Sequence, residues 1–197
     1  MNVMTWVLLA MALLVLFWAM GAYNRLVRLR NAIANAFGQI DVQLKRRHDL
    51  IPNLVEVARK YLAHESSTLE AVIAARQHAS TAERAAASNP VNAAAMGQLV
   101  GAEQALGGAL GRLFAVVESY PELKADKTMR ELSEEIASTE NRVGFARQAY
   151  NDHVLEFNDA AAQFPALIVA RLFAFVPMPM LESTTSVEER QAVKVSF

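Results

Sequence analysis

The chain of 197 residues contains no cysteine, and residues that could carry out chemistry are sparse. Without cysteine there can be no disulfide, no thiol nucleophile, no thiolate metal site and no lipid attached to a cysteine sulfur. Four histidines are present, but no pair has the i, i+4 or HExxH spacing that places two metal ligands on one helical face. No Ser/His/Asp set, phosphate-binding loop or pair of carboxylates can be assembled from the sequence either. We therefore predict no catalytic residue, no metal and no cofactor, and we expect that the protein is not an enzyme.

Charged side chains are absent from residues 1–24, which read MNVMTWVLLAMALLVLFWAMGAYN. A helix needs about 20 apolar residues to cross a bilayer, so this segment is predicted to be a transmembrane anchor. A cleaved signal peptide is the alternative, but it normally has a basic start and a shorter apolar run.

Positive charge follows the apolar segment immediately. Residues 25–60 carry 8 Lys/Arg against 3 Asp/Glu, whereas residues 61–197 carry 11 against 17. Arg25, Arg28 and Arg30 follow the span and no Lys or Arg precedes it, so the positive-inside rule places the large domain in the cytoplasm, with the periplasm as the alternative. A basic stretch this local is not typical of a nucleic-acid-binding face, and we expect no nucleic acid partner.

Helical periodicity runs through the chain beyond the span, and no strand pattern is visible. Heptad spacing of apolar residues, as in a coiled coil, predicts a first helix that continues from the membrane to about residue 64. Pro52 leaves two possibilities: a continuous helix kinked at the proline, or a break after which Asp49 caps a new helix. The apolar positions of this helix are Leu26, Ile33, Phe37, Ile40, Leu44, Ile51, Leu54, Ala58 and Tyr61.

Three more helices are predicted, with short connections between them. Ser66, Ser67 and Thr68 are candidate caps for the second helix, and Pro121 and Pro165 should stop the third and the fourth. The fourth helix should bury a seam that extends to Phe164. The expected ranges are about 66–88, 91–120 and 126–164.

Short connections make consecutive helices antiparallel neighbours. The expected fold is therefore all-α, an N-terminal transmembrane helix that continues into an up-and-down antiparallel four-helix bundle. The anchor spans residues 1–24 and the bundle spans residues 25–165. Two segments follow: an apolar one over residues 166–181 and a polar tail over residues 182–197.

The apolar segment after the fourth helix should lie near the bilayer, because the fourth helix of such a bundle returns toward the membrane. Residues 164–181 read FPALIVARLFAFVPMPML, with Arg171 as the only charge. The segment either folds over the end of the bundle or forms a contact with the membrane surface or with another subunit.

Polar residues at core-facing positions are the candidate interaction sites. Arg47 falls on the apolar seam of the first helix and needs a carboxylate or carbonyl partner, because an unpaired buried charge is costly. We interpret these residues as a polar network that fixes helix register, with a ligand site as the alternative. They are Arg46, Arg47 and Asp49 on the first helix, and Glu140, Arg147, Asn151 and Asn158 on the fourth.

Glycine is concentrated in the third helix, at a cost of about 1 kcal/mol per residue in helix propensity. Two pairs have GxxxG spacing: Gly97 with Gly101, and Gly107 with Gly111. We expect a close backbone approach at these glycines, either within the bundle or between subunits.

Several long motifs resemble those of one known family. They are YNRLV after the span, DVQLKRRHDLIPNLVEVARKYLAHE in the first helix, ESYPELKADKTMRELSEEIASTENRVGFARQAYNDHVLEFN across the third turn and the fourth helix, and the closing QAVKVSF. This pattern is similar to the LemA family of bacterial membrane proteins. The resemblance implies a four-helix bundle on an N-terminal anchor in the bacterial inner membrane. It implies no established enzymatic activity.

The family resemblance points to two kinds of role. Membrane shaping, as in magnetosome membrane formation, is one. Assistance to membrane proteolysis, with a membrane metallopeptidase as partner, is the other. Our leading hypothesis is a membrane-anchored scaffold that contacts the lipid bilayer and forms a homo-oligomer or organises partner proteins. The alternatives are an adaptor of a membrane protease and a ligand-responsive sensor that uses the polar row of the fourth helix.

Overall fold

A computed structural model describes residues 2–181, and all regular structure in that range is helical. No strand occurs among those residues, so the all-α prediction is confirmed. The predicted polar tail, residues 182–197, lies outside the described part of the chain. The helices are α1 (Val3–Arg59), α2 (Ser66–Ser88), α3 (Ala93–Val117), α4 (Pro121–Ala125), α5 (Lys127–Ala162) and α6 (Ala166–Leu172).

The first helix, α1, begins as an exposed apolar rod and then enters the core of the domain. Its N-terminal part is long and apolar enough to cross a membrane, and none of that stretch is buried. Burial begins at Leu26, after which the apolar rows expected from the heptad pattern are buried up to Ala58, and Tyr61 is half-buried. The helix is continuous through Pro52, so a break capped by Asp49 is wrong.

Several helix ends differ from the expected ones. Glu65, rather than a serine or threonine, occupies the N-cap of α2, and it makes no side-chain capping bond. Asn92 caps α3 by accepting hydrogen bonds from the amides of Ala94 and Ala95 at 2.9 and 3.1 Å. The short helix α4 was not predicted. It begins at Pro121, since proline suits the first turn of a helix.

The packing places α1 at the centre of the domain. It contacts α2 and α5, and α2 in turn packs on α3. Arg46 lies beside Glu135, and Phe37 beside Tyr150 with ring centroids 6.4 Å apart, so α1 and α5 run antiparallel. The helices α3 and α5 pack closely on their other neighbours and not on each other.

The fourth predicted helix ends earlier than expected. The corresponding helix, α5, stops at Ala162, and Phe164 is 81% exposed and not part of the buried seam. Pro165 then precedes α6, a helix that periodicity did not predict.

Candidate functional site

The centre of the domain contains a group of ionisable side chains, which we call the ion core: the buried Arg47, His48, Glu83 and Glu103, and the half-exposed Glu140. Arg47 is 2% exposed. Its two terminal nitrogens form separate ion pairs, one with the buried Glu103 on α3 and one with the half-exposed Glu140 on α5. Burial, and to a smaller extent the charge of Arg147, lowers the pKa of Arg47 to about 10, so the side chain stays charged at neutral pH. The guanidinium therefore joins three helices.

His48 lies between two buried carboxylates. Its Nε2 is 2.9 Å from Oε1 of Glu103, and its Nδ1 is 3.6 Å from Oε2 of Glu83. Burial, together with the charges of Arg47 and Arg76, lowers the pKa of His48 to about 4. A neutral ring at pH 7 can donate one hydrogen bond, and the shorter distance assigns it to Glu103.

Glu83 is the acid of the ion core that titrates near neutral pH. Burial, and then hydrogen bonding with Asp41, raises the pKa of Glu83 to about 7. Lys45 lies 3.7 Å away and opposes this shift. Within residues 2–181 no group of three or more His, Asp or Glu side chains is arranged to hold a metal ion.

Pro52 is connected to the ion core through the backbone. A proline has no amide hydrogen, so the carbonyl four residues earlier, that of His48, loses its helical donor. Arg76 of α2 supplies the missing donor, with its Nε 2.7 Å from the His48 oxygen. The helix can therefore continue through the proline without leaving a buried carbonyl unsatisfied.

The structure brings only some of the predicted polar residues together. Arg47 and Glu140 meet, whereas Arg46 is exposed and pairs with Glu135, with its Nε 3.1 Å from a carboxylate oxygen. Asp49 is exposed and makes no ion pair with any residue in the 2–181 range. Arg147 is half-buried and lines a cavity with Arg47 between α3 and α5.

Two acids of the ion core, Glu103 and Glu83, were not predicted from the sequence, although their position among apolar residues indicates burial. Glu103 falls four residues after the buried Leu99 and three before the buried Leu106, on the core-facing row of α3. Glu83 occupies the same position on α2, between Ala79 and Ala86. An acid on an apolar row indicates a buried charge, so the sequence does offer Glu103 and Glu83 as possible partners of Arg47.

Asn151 and Asn158 form a separate contact, the asparagine clamp. The side chain of Asn151 donates to the Leu181 carbonyl at 2.7 Å and accepts from its amide at 2.8 Å. Asn158 makes the same pair of bonds to Met178, both at 2.9 Å. Two helical turns rise by about 10.5 Å, which matches three extended residues, so the clamp holds an extended segment along α5.

The apolar segment that follows α5 has an inner and an outer side. Its inner side is buried on the domain, through Val169, Ala170, Met178 and Leu181. Its outer side, which we call the membrane-side surface because it adjoins the predicted span, consists of exposed apolar residues: Phe164, Ile168, Leu172, Phe173, Val176 and Met180. The segment thus both packs on the domain and leaves an apolar surface free for the membrane or for another subunit, the two possibilities stated for residues 164–181.

The membrane-side surface lies at the base of the apolar part of α1. The ring of Tyr23 is 4.8 Å from that of Phe173 and 5.7 Å from that of Phe175. Ile168 and Leu172 lie one turn apart on α6 and are 57% and 76% exposed, and Phe164, in the turn before α6, is 81% exposed. Such a patch of apolar side chains marks a contact with a partner or a membrane.

The glycines of α3 do not serve a close contact within this chain. A Cβ atom added at Gly97, Gly101, Gly107 or Gly111 would meet no heavy atom within 4 Å. The expected close approach within the bundle is therefore wrong for these positions, because all four glycines are exposed and have open space around them. A contact between subunits stays a prediction.

Comparison with known proteins supports the family that the sequence motifs indicated. A model described as the LemA family matches residues 36–197. The magnetosome protein MamQ of Magnetospirillum gryphiswaldense is 25% identical over 171 residues, which cover 78% of this chain and 62% of that protein. The magnetosome proteins MamQ 1 and MamQ 2 of Paramagnetospirillum magneticum match with the same identity and coverage. The chain thus spans less than two thirds of the length of these relatives.

Proposed function

The chain belongs to the LemA family, and from this membership and the membrane-side surface we propose a non-enzymatic, membrane-anchored helical scaffold that self-associates or organises partner proteins. Three aligned relatives are named magnetosome proteins, which supports a structural role of this kind. Membrane association itself fits both the apolar N-terminal helix and the family.

The observation that carries the proposal is the membrane-side surface beside the span, with Ile168 and Leu172 exposed on one face of α6. Apolar helix faces of this type lie in the interface between headgroups and acyl chains, and aromatic rings such as that of Tyr23 favour the same layer. Arg171, exposed on α6, would lie at the headgroups of anionic lipids. The domain is then attached to the bilayer at two neighbouring points, the span and α6, which fixes its orientation and not merely its location.

The proposal extends to the arrangement of the domain. We propose that residues 25–165 form an up-and-down antiparallel four-helix bundle, made of the membrane-distal part of α1 with α2, α3 and α5. The antiparallel pairing of α1 with α5, and the contacts of α1 with α2 and of α2 with α3, support this topology. The arginines that follow the span support a cytoplasmic domain on the inner membrane.

Self-association is supported by surfaces that the chain leaves unused. Gly97 and Gly101 are exposed on α3, with open space around them. A second helix can approach a glycine pair more closely than any other pair of residues. The membrane-side surface offers a second place where neighbouring copies can meet at the bilayer.

The test is a depth measurement with single labels on the full-length chain. Because the chain has no cysteine, Ile168→Cys and Phe145→Cys each give one labelling site, and both native side chains are exposed, at 57% and 74%. In vesicles that contain lipids with a quencher on the acyl chain, a fluorophore at residue 168 should be quenched strongly. The same fluorophore at residue 145, in the middle of α5, should not. Equal quenching at the two sites, or none at residue 168, would overturn the proposed bilayer contact.

A further inference from the structure

A groove separates α3 from α5 above Arg47, and nothing in the proposed scaffold uses it. The cavity in this groove has a volume of about 520 Å³. Small-molecule sites in proteins commonly measure about 300–1,000 Å³, so the size suits a compact ligand. One wall is formed by α3 and the other by α5, and the two helices do not pack closely on each other.

Glycines keep this groove open. Gly107, Gly108 and Gly111 line it, and a Cβ atom at any of them would meet nothing within 4 Å. Each glycine weakens the helix by about 1 kcal/mol relative to alanine. Since no neighbouring helix needs the space, a larger side chain at these positions would do no more than fill the groove.

The polar end of the groove has two arginines and two glutamates, and one of the arginines is engaged by neither acid. Arg147 is half-buried and makes no ion pair or hydrogen bond with any residue in the 2–181 range. Glu103 and Glu140, the acids that line the same cavity, are both engaged by Arg47. Arg47 is only 2% exposed, and its buried Nε has no hydrogen-bond partner in that range. A guanidinium in this position is a ready donor for an anion.

Apart from Gln104, the rest of the lining is apolar. The apolar part consists of Val100, Leu110, Phe114, Ile136 and Ala137. An anion alone would leave this wall in contact with water, whereas an apolar chain attached to the anion would cover it.

We propose that the groove between α3 and α5 binds an acidic amphiphile, with a carboxylate or phosphate monoester at Arg147 and an apolar chain against Phe114 and the glycines. The site itself is independent of the scaffold role, and only the exclusion of a bilayer lipid as the ligand rests on the proposed membrane contact. Arg147 lies 13 residues from the buried Ala160, near the end of α5 that leads to the membrane-side surface, or about 20 Å along the helix. A headgroup that remains in the bilayer could not reach it, so the ligand must enter the groove as a free molecule.

The experiment is a titration of the full-length protein in phosphatidylcholine nanodiscs, followed by calorimetry, with empty nanodiscs subtracted. The probes are decanoate, decyl phosphate and decanol, which share a chain and differ in the headgroup. We expect saturable binding of one molecule per chain for an acid and at least about tenfold weaker binding of decanol, because a charge-assisted hydrogen bond is lost. The acid that binds more tightly identifies the headgroup.

Variants separate the groove from other surfaces. Arg147→Gln should weaken binding of the acid about tenfold or more and leave binding of decanol unchanged. Gly108→Leu should abolish binding by filling the groove, whereas Ala105→Leu, at an exposed position on the same helix but outside the lining, should not change it. The proposal is overturned if neither acid binds saturably, if decanol binds as tightly as the acids, or if Arg147→Gln binds as the parent does.

Discussion

Arg47 has two acidic partners that differ in exposure, and this difference predicts unequal effects of two isosteric substitutions. The side chain of Glu103 is 2% exposed, whereas that of Glu140 is 47% exposed, and each pairs with one terminal nitrogen of the same guanidinium. Glu103→Gln removes the buried charge that balances Arg47 and also weakens the bond to His48. Breaking a buried pair in this way costs about 3–5 kcal/mol. Glu140→Gln removes a partner that water can replace, and it should cost about 1 kcal/mol or less.

The two variants can be compared by urea unfolding of the full-length protein in nanodiscs at pH 7, followed by the far-ultraviolet circular dichroism of the domain. The span should not unfold in urea, so its signal is a constant background. Glu103→Gln should lower the free energy of unfolding obtained from the urea curves by about 3–5 kcal/mol, and Glu140→Gln should lower it by about 1 kcal/mol or less. If Glu140→Gln destabilises the protein as much as Glu103→Gln, burial does not set the strength of the two pairs and the reasoning fails.

Three other predictions concern the ion core and the clamp. Arg76→Met should cost about 1.5–3 kcal/mol because the His48 carbonyl loses its donor, and the cost should shrink by at least about 1 kcal/mol in a Pro52→Ala background, where the restored amide donates instead. Additive urea-unfolding free energies in this double-mutant cycle would contradict the coupling. Because burial raises the pKa of Glu83 from 4.5 to about 7, the folded state binds its proton more tightly. Its stabilising effect is complete below pH 4.5 and is lost as the pH rises through 7. The stability of Glu83→Gln relative to the parent should therefore increase over that window, by up to about 3 kcal/mol, and unfolding curves with a pH-independent difference would refute this. Asn158→Ala removes two hydrogen bonds and should cost about 1–3 kcal/mol, and the amide it binds should exchange hydrogen faster, whereas an unchanged exchange rate would argue against the clamp.

Helix positions and burial could be predicted from the sequence because they follow from the spacing of apolar residues. The rows of α1 were identified in this way, including Arg47 on the seam. The continuity of α1 through Pro52 could not be predicted, since it depends on Arg76, a residue 24 positions later that supplies the missing donor. Periodicity describes one helix at a time and does not reveal which distant side chain faces it.

The candidate site was predicted incompletely for the same reason. Asn151 and Asn158 were correctly placed on one face of a helix, but the partner of that face is an extended segment and not another helix. Glycine spacing likewise indicates where a close approach is permitted. It does not show whether a neighbour is present, and around the glycines of α3 the space is open.

The scaffold role depends on whether copies of the chain assemble in a membrane. The exposed Gln77 of α2 can be replaced in Gln77→Cys to give one dye per chain, away from the membrane-side surface and the groove. Counting the photobleaching steps of single particles in lipid vesicles, at low protein-to-lipid ratio, then gives the number of copies that travel together. The scaffold assignment predicts particles with two or more steps that persist on dilution into excess lipid. A population of single-step particles under all conditions, with no partner recovered by crosslinking in cells, would contradict it.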